Sequence, residues 1–394
     1  MGFGAIIASG ENNLLLQDDL VDCLTEVRVE QSLDDPTHFA LRFQEDITSG
    51  QPRIRGATDF KCGELITIAV KVGAEMICLA RGPITEREWS AMLGGAGSWF
   101  EVRGQDRRIQ MDRQCKRRPW TGLESAAATT ILKDEYKFGK AIIQKTQKNY
   151  GGGSSNNEPT TETLNQRASD EVFMRQIACR NNLSFWIEYE CQKNGINPSG
   201  ESLKVTEVAN LRSSPVLPDA EGLEEFQKEI GRHRNLDVSL RVNVEHGRCQ
   251  NVTAFNITED SEQPSHFNGS AIDVRSGTNE QTSAVDPQSP IAQGGEGLEQ
   301  CNPEREVCIT TAGSIEELLR KVLSALTEAG WRISATASTT AHMLGGVLLP
   351  HDEVKVEGLG TKDSGTYQVR AVTHVINAAD HFMDLQLRRN ATGG

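Results

Sequence analysis

Glu353-Val-Lys-Val-Glu-Gly-Leu-Gly360, Gly365-Thr-Tyr-Gln-Val-Arg-Ala-Val-Thr-His-Val375 and His381-Phe-Met-Asp-Leu-Gln-Leu-Arg-Arg389 are three alternating segments near the end of the chain. Val354 and Val356 share one face of the first. Tyr367, Val369, Ala371 and Thr373 share one face of the second. Met383, Leu385 and Leu387 share one face of the third, with Asp384, Gln386 and Arg388 opposite. A period of two marks half-buried strands. Gly358, Gly360 and Gly365 supply the permissive backbone of the first connection, and the Asn377 to Asp380 cluster supplies the second. The three segments predict an antiparallel meander.

The same order recurs near the start: Glu64-Leu-Ile-Thr-Ile-Ala-Val70, a turn at Gly73, Met76-Ile-Cys-Leu-Ala-Arg-Gly-Pro-Ile-Thr85, a turn at Gly94, Gly95 and Gly97, then Trp99-Phe-Glu-Val-Arg-Gly104. Two such regions predict an internal pair of β-domains. A strand at Thr25 to Gln31, a turn at Asp34-Asp35-Pro36 and a strand at His38 to Gln44 precede the first region. Up to about Gln110 the chain reads as a β-barrel or sandwich.

Helical signals follow. Thr121-Gly-Leu-Glu124 matches a capping box, with Leu123, Ala127 and Ile131 on one face beyond it. Ser169 is placed to cap a helix whose first turn carries Asp170 and Glu171, with Val172, Phe173, Ile177 and Ala178 as its buried stripe. Asn181-Asn182 stops it, and Leu183, Phe185, Ile187 and Tyr189 mark a strand. Leu223, Phe226 and Ile230 suggest a short helix, followed by strands near Asp237 to Val244 and Val252 to Ile257. From Ile257 to Thr311 ten acidic residues stand against Arg275 and Arg305, which predicts a long acidic loop, partly disordered. Ser314-Ile-Glu-Glu317 then caps a helix with Ile315, Leu318, Leu319, Val322, Leu323 and Leu326 on one face, ended by Gly330.

At 394 residues the chain exceeds the usual limit for a single core. Its mean hydropathy of −0.45 and its lack of a long apolar run predict a soluble protein without a membrane span. The first ten residues lack the features of a secretory signal, so synthesis and residence in the cytosol are expected. Nine scattered cysteines without a CxxC predict reduced, buried thiols rather than a disulfide framework. The formal charge of −14 opposes general nucleic-acid binding. Arg103, Arg107, Arg108, Arg113, Lys116, Arg117 and Arg118 form one basic window, expected to be a solvated face or a charged subunit contact.

Signatures of catalysis are missing from the sequence. There is no P-loop, GxSxG or HExxH. Cys301, Glu304, Glu306 and Cys308 match no common zinc spacing. His374 and His381 can approach across a hairpin, without a third ligand in view, while His342 and His351 lie on other turns. Asp170-Glu171 and Glu316-Glu317 are neighbours on helices and point apart, so neither makes an acid and base pair. Catalytic, cofactor and metal residues are therefore expected to be none.

Three stretches carry a family resemblance. The ending, from the strand before Gly358-Leu-Gly360 through Gly365-Thr-Tyr-Gln-Val-Arg-Ala-Val-Thr-His374 to His381-Phe-Met-Asp-Leu-Gln-Leu387, resembles the close of phage late-control gene D proteins, the baseplate hubs of contractile tails. Asn165-Gln-Arg-Ala-Ser-Asp-Glu-Val-Phe-Met-Arg-Gln-Ile-Ala-Cys-Arg-Asn-Asn-Leu-Ser-Phe-Trp186 resembles a helix of that family and of the VgrG hub portion. Arg81-Gly-Pro-Ile-Thr85 with Val102-Arg-Gly-Gln-Asp106 is similar to its first barrel. The resemblance implies two tube-like β-barrels per subunit and a homotrimer presenting six of them, matching a six-fold tail tube to a three-fold spike.

The resulting expectation is a β-rich α+β chain: residues 1–112 a first tube-like barrel, 113–235 an inserted helical α+β section, and 236–394 a second barrel holding the acidic loop 257–311. Its expected role is a structural, non-enzymatic baseplate hub of a phage tail or contractile injection system. Expected partners are the inner tail-tube protein, baseplate wedge components and cargo or tape measure. VgrG proteins continue into a neck and spike where this chain ends at Gly394, so a separate spike protein is expected. The acidic segment, longer than a minimal hub needs, is a candidate dock for cargo, tape measure or baseplate parts. Assembly in the bacterial cytoplasm precedes incorporation into the particle. The rivals are a tail-associated cell-wall hydrolase and a tail-tube or neck component.

Overall fold

The computed structural model describes residues 4–33, 35–45, 52–92, 97–151, 163–197, 200–214, 238–243, 250–272, 277–285, 305–310 and 315–392. In chain order the main strands are β1 (Ala5–Ser9), β2 (Leu24–Ser32), β3 (His38–Gln44), β4 (Leu65–Val72), β5 (Glu75–Ser90), β6 (Trp99–Gln105), β7 (Ser184–Asn197), β8 (Gly200–Arg212), β9 (Ala254–Glu259), β10 (Ile333–Thr340), β11 (Glu353–Glu357), β12 (Gly365–Asn377) and β13 (His381–Arg389). The two long helices are α1 (Asp170–Arg180) and α2 (Ile315–Ala329).

Five strands near the start and five towards the end pair in the same order. β2 pairs with β3, β3 with β6, β6 with β5 and β5 with β4, all antiparallel. β9 pairs with β10, β10 with β13, β13 with β12 and β12 with β11 in the same way. The repeat extends to residue level. One extra residue interrupts the register between Ile84 and Glu86 in β5 and between Val369 and Ala371 in β12. With these bulges superposed, Ile66 and Ile68 correspond to Val354 and Val356, and Phe100 and Val102 to Met383 and Leu385; all eight are buried.

The bulge corrects one expected face. Tyr367 and Val369 are buried, but beyond Arg370 the buried set becomes Val372, His374 and Ile376, while Ala371 and Thr373 turn away. One inserted residue in a period-two strand moves every later side chain to the other face. Arg388, expected opposite the core, is buried as well, its guanidinium 4.1 Å over the Trp331 ring. Where β5 meets β6 only glycine fits: a Cβ on Gly104 would lie 2.2 Å from Phe39 Cζ and 2.4 Å from the Pro83 carbonyl.

The two repeats join edge to edge. Ala371–Asn377 of β12 runs antiparallel to Glu26–Ser32 of β2, extended by a hydrogen bond from the Leu33 amide to the Arg370 carbonyl. A single sheet therefore crosses from one repeat into the other, and one hydrophobic core holds Val27, Phe39 and Leu41 together with Val354, Tyr367 and Leu385. A seam of this kind resists hinge motion, because bending it breaks ladder bonds and core contacts together.

A second core, from Met111 to Leu211, gathers α1, the β7–β8 hairpin and a helix over Glu124–Thr129 that continues as a π-helical turn to Glu135. The Thr121 capping box does not form. Gly122-Leu123 pairs instead with Asn149-Tyr150, and the helix begins at Glu124 without a side-chain cap. Ser169 does cap α1, its Oγ accepting from the Val172 amide, and Asn182 takes the left-handed conformation (φ 54°) beyond the helix end. The buried stripe of α1 is Phe173, Met174, Ile177 and Ala178, with Val172 exposed.

The acidic segment is not one loop. His266–Ile272 pairs antiparallel with Asn279–Val285 and parallel with Glu306–Ile309, and α2 covers this small sheet through Val322, Leu326 and Ala329 against Phe267. The buried row of α2 is Leu318, Val322 and Leu326, while Ile315, Leu319 and Leu323 are each about two-fifths exposed. The helix expected at Leu223 to Ile230, the turn residue Asp34, the cap residue Ser314 and residues 273–276, 286–304 and 311 of the acidic segment lie outside the described residues.

Candidate functional site

The chemistry of this chain is concentrated where its parts are locked together. At the seam, Gln31 of β2 donates from Nε2 to the Leu79 carbonyl of β5 at 2.7 Å. Its Oε1 is therefore turned to His374 of β12, which donates to it from Nε2 at 3.1 Å. His374 Nδ1 is then an acceptor, and His381 of β13 donates to it from Nε2 at 3.0 Å. Four strands from both repeats are linked by three hydrogen bonds that require a neutral His374, because its Nδ1 must accept. Burial, then the neighbouring His381, holds His374 well below the usual imidazole range. Burial lowers His381 to about 4, against a smaller opposing effect of Asp380.

A second lock joins β5 to β8. Glu207 accepts from Arg81 Nη1 and Arg107 Nη1, each at 2.5 Å, while Arg81 Nε donates to Asn13 Oδ1 at 3.0 Å and Tyr189 donates to the Arg81 carbonyl. Glu207 and Arg81 are both buried, so the pair is shielded from salt and each charge depends on the other. A third lock lies inside the middle section. Asp170 is fully buried and receives Lys116, Arg118, Tyr136 and Gln166. Burial alone would raise its carboxyl, but the hydrogen bonds from Lys116, Gln166 and Tyr136 outweigh it and hold Asp170 below the ordinary carboxylate range. The fourth lock fastens α2. Glu124, buried, accepts from Tyr150 and Asn181 and pairs with Arg180, while Arg320 donates to Asn181 and Ser324 to the Cys179 carbonyl at the end of α1.

These locks account for most of the basic window and correct its reading as a solvated face. Arg103 lies among Glu86, Glu88 and Glu101; Arg107 on Glu207; Arg108, buried, beside Asp106; Lys116 and Arg118 on Glu135 and Asp170. Arg113 and Arg117 are the exposed members. Asp170 and Glu171 are likewise committed, Glu171 to Arg175 one turn on. Glu317 pairs with Lys321. Cys308 and Glu306 are exposed on a strand, and Cys301 and Glu304 lie outside the described residues. Of the seven described cysteines only Cys78 is buried; Cys62, Cys115, Cys179 and Cys308 are exposed, contrary to the expectation of buried thiols. Among the described residues no group of three or more His, Cys, Asp or Glu could hold a metal ion, and no helix is long and apolar enough to cross a membrane.

A cleft of about 1170 Å³ opens between the two repeats and the middle section. Trp186 stacks on His351 there, with ring centroids 3.7 Å apart; Arg212 lies over the Trp186 ring, and Arg108 and Asp106 also line the cleft. Burial, followed by Arg212, Arg388 and Arg108, keeps His351 well below the usual imidazole range. The approach of His374 to His381 was legible in the hairpin spacing, whereas Gln31, Glu207, Glu124 and the cleft were not. Arg81 left a trace, as a charge inside an otherwise apolar strand.

No protein-family model and no curated protein matches the chain. Solved structures do. The tail protein from Neisseria meningitidis MC58 superposes with a TM-score of 0.61 at 12% identity, over 98% of this chain and 97% of that one. The 43 kDa tail protein of prophage MuSo2 from Shewanella oneidensis gives 0.60 at 13%, over 98% and 99%. An E. coli component of the type VI secretion system, itself similar in structure to the T4 bacteriophage tail proteins gp27 and gp5, gives 0.51 at 10%, over 92% and 73%. The chain has the β-rich fold of phage tail proteins, shared with a type VI secretion component.

Proposed function

We propose that the chain is a structural baseplate hub of a contractile tail or contractile injection system, related to late-control gene D proteins and the VgrG hub, joining a six-fold inner tube to a three-fold spike as a homotrimer. The observation that carries this reading is the five-strand repeat: two similar units fixed side by side in one subunit allow three subunits to offer six. In this reading residues 1–112 and 236–394 each provide a tube-like barrel and 113–235 the inserted section, a division supported by the separate core from Met111 to Leu211. The four locks suit a part that transmits force, because buried ion pairs and a continuous sheet remove soft joints between units.

The partners of such a hub are the inner-tube protein, a spike protein, baseplate wedge components and the cargo or tape measure that passes its lumen. The protein is assembled in the bacterial cytoplasm and resides in the baseplate. It acts without catalysis and without a cofactor. The test is a reconstitution with an inner-tube protein and a spike protein from the same source: the tube binds the spike only when this chain is present. Tube and spike associating equally well without it would contradict the adaptor role, and release of peptidoglycan fragments by the purified chain would point to the hydrolase.

A further inference from the structure

Two buried nitrogens in the cleft, Arg108 Nε and His351 Nε2, make no hydrogen bond among the described residues. The form of His351 follows from a directed chain of hydrogen bonds. Arg388 on β13 can only donate, and its Nε donates to Gln368 Oε1 at 2.8 Å. Gln368, fully buried on β12, is thereby oriented to donate from Nε2 to Ser214 Oγ at 2.9 Å. The Ser214 hydroxyl is left to donate to His351 Nδ1, 2.6 Å away. Burial and the nearby guanidiniums keep the ring neutral, so His351 carries its proton on Nε2, and that N–H is the open end of the chain. Stacking on Trp186 and a hydrogen bond from the His351 amide to the Val369 carbonyl hold the ring in place. Arg108, 1% exposed, reaches the same stretch of β7: its Nη1 donates to the Phe185 carbonyl at 3.1 Å. Asp106 stands 3.4 Å from Arg108 Nε as a counter-charge, but its oxygens already accept from the Arg108 and Thr37 amides. A buried donor without an acceptor is costly, and two beside one strand call for a common acceptor.

We infer that this part of the cleft is a binding site for a carboxylate, which accepts from His351 Nε2 and from Arg108 Nε. The surrounding charge favours an anion. Arg108, Arg212 and Arg388 are buried, whereas Glu188 and Glu328, the acids beside the last two, are 3.5 and 3.4 Å away and largely exposed, so solvent screens them. A single negative charge fits this balance, while a phosphate dianion would set a second charge against buried Asp106. The carboxylate belongs either to the end of a peptide or to a free small acid. The cleft volume of about 1170 Å³ leaves room beyond the two donors for several residues of peptide. The inference uses no contact between copies, so it stands or falls apart from the trimer.

The test is ligand-observed saturation-transfer NMR on the full-length chain with three probes: sodium acetate, the tripeptide acetyl-Gly-Ala-Leu with a free terminal carboxylate, and the same tripeptide as its amide. Both carboxylates are expected to receive saturation, and the amide to bind at least about tenfold more weakly than the free tripeptide. His351→Asn removes the Nε2 donor and keeps a residue suited to the left-handed backbone there, φ 74°. Arg108→Lys keeps the charge without Nε. Each is expected to weaken the free tripeptide at least about tenfold. Ser214→Ala, which releases the tautomer of His351 without removing either donor, is expected to weaken it about threefold. If Arg108→Lys loses the circular dichroism spectrum of the parent, the other two variants decide. A free tripeptide about tenfold tighter than acetate assigns the site to a peptide end, and equal affinities assign it to a small free acid. No saturation of either carboxylate at about 10 mM, equal binding of the amide, or unchanged binding in His351→Asn overturns the inference and leaves water as what the two donors meet.

Discussion

His374 and His381 show how one protonation acts on a whole interface. His374 must be neutral for the chain from Gln31 to His381 to close, because its Nδ1 accepts, and both imidazoles are held below the ordinary value of about 6.5. The unfolded chain therefore binds more protons between pH 6.5 and about 4, so stability is full above that window and falls as the pH drops through it. For His381 the loss at the acid end is on the order of 3 kcal/mol. Thermal unfolding followed from pH 7.5 to pH 4.5 is expected to show this decline, and the H374N/H381N variant to flatten it; an unchanged slope in that variant would assign the decline to other groups. At the second lock, Glu207→Ala leaves Arg81 buried without its carboxylate and is expected to cost roughly 3–5 kcal/mol in urea unfolding. A cost below about 1 kcal/mol would show that Asn13 and solvent suffice for Arg81.

Among the elements, the strands were legible and their junctions were not. Alternation in Val354-Lys-Val356 and Met383-Asp-Leu-Gln-Leu387 survives because those strands carry no bulge. In β12 the single extra residue Arg370 reverses the phase, and no local property of arginine announces a bulge. The acidic segment misled for a related reason. Its composition is too polar for a core of its own, but α2 supplies the missing apolar face over Phe267. Deleting Arg370 should turn Val372, His374 and Ile376 outward and abolish the cooperative melt seen by circular dichroism; a melt like that of the parent would mean the register slips elsewhere at little cost. Leu326→Ala is expected to cost about 2–4 kcal/mol locally. Hydrogen exchange should then accelerate in 266–272 and 306–309 while seam amides at 371–377 keep their protection, and equal acceleration in both would contradict an independent small sheet.

For the whole molecule, the recurrence of strand, glycine, strand, turn, strand made both meanders legible, because they are contiguous in sequence and turn glycines punctuate them. The partners that complete each unit, β2 with β3 and β9 with β10, are separated from their meanders or from each other by long connections, which hid the five-strand order. Buried ion pairs such as Arg81 with Glu207 join residues more than a hundred positions apart, and no local pattern encodes them. The central claim is one of stoichiometry: two units per chain, six per assembly. Light scattering on the purified chain tests it most directly. The account predicts about 130 kDa, three times the 43.2 kDa chain; a mass near twice that value would indicate a six-membered tube component, and a mass of one chain across the micromolar range would contradict the trimer.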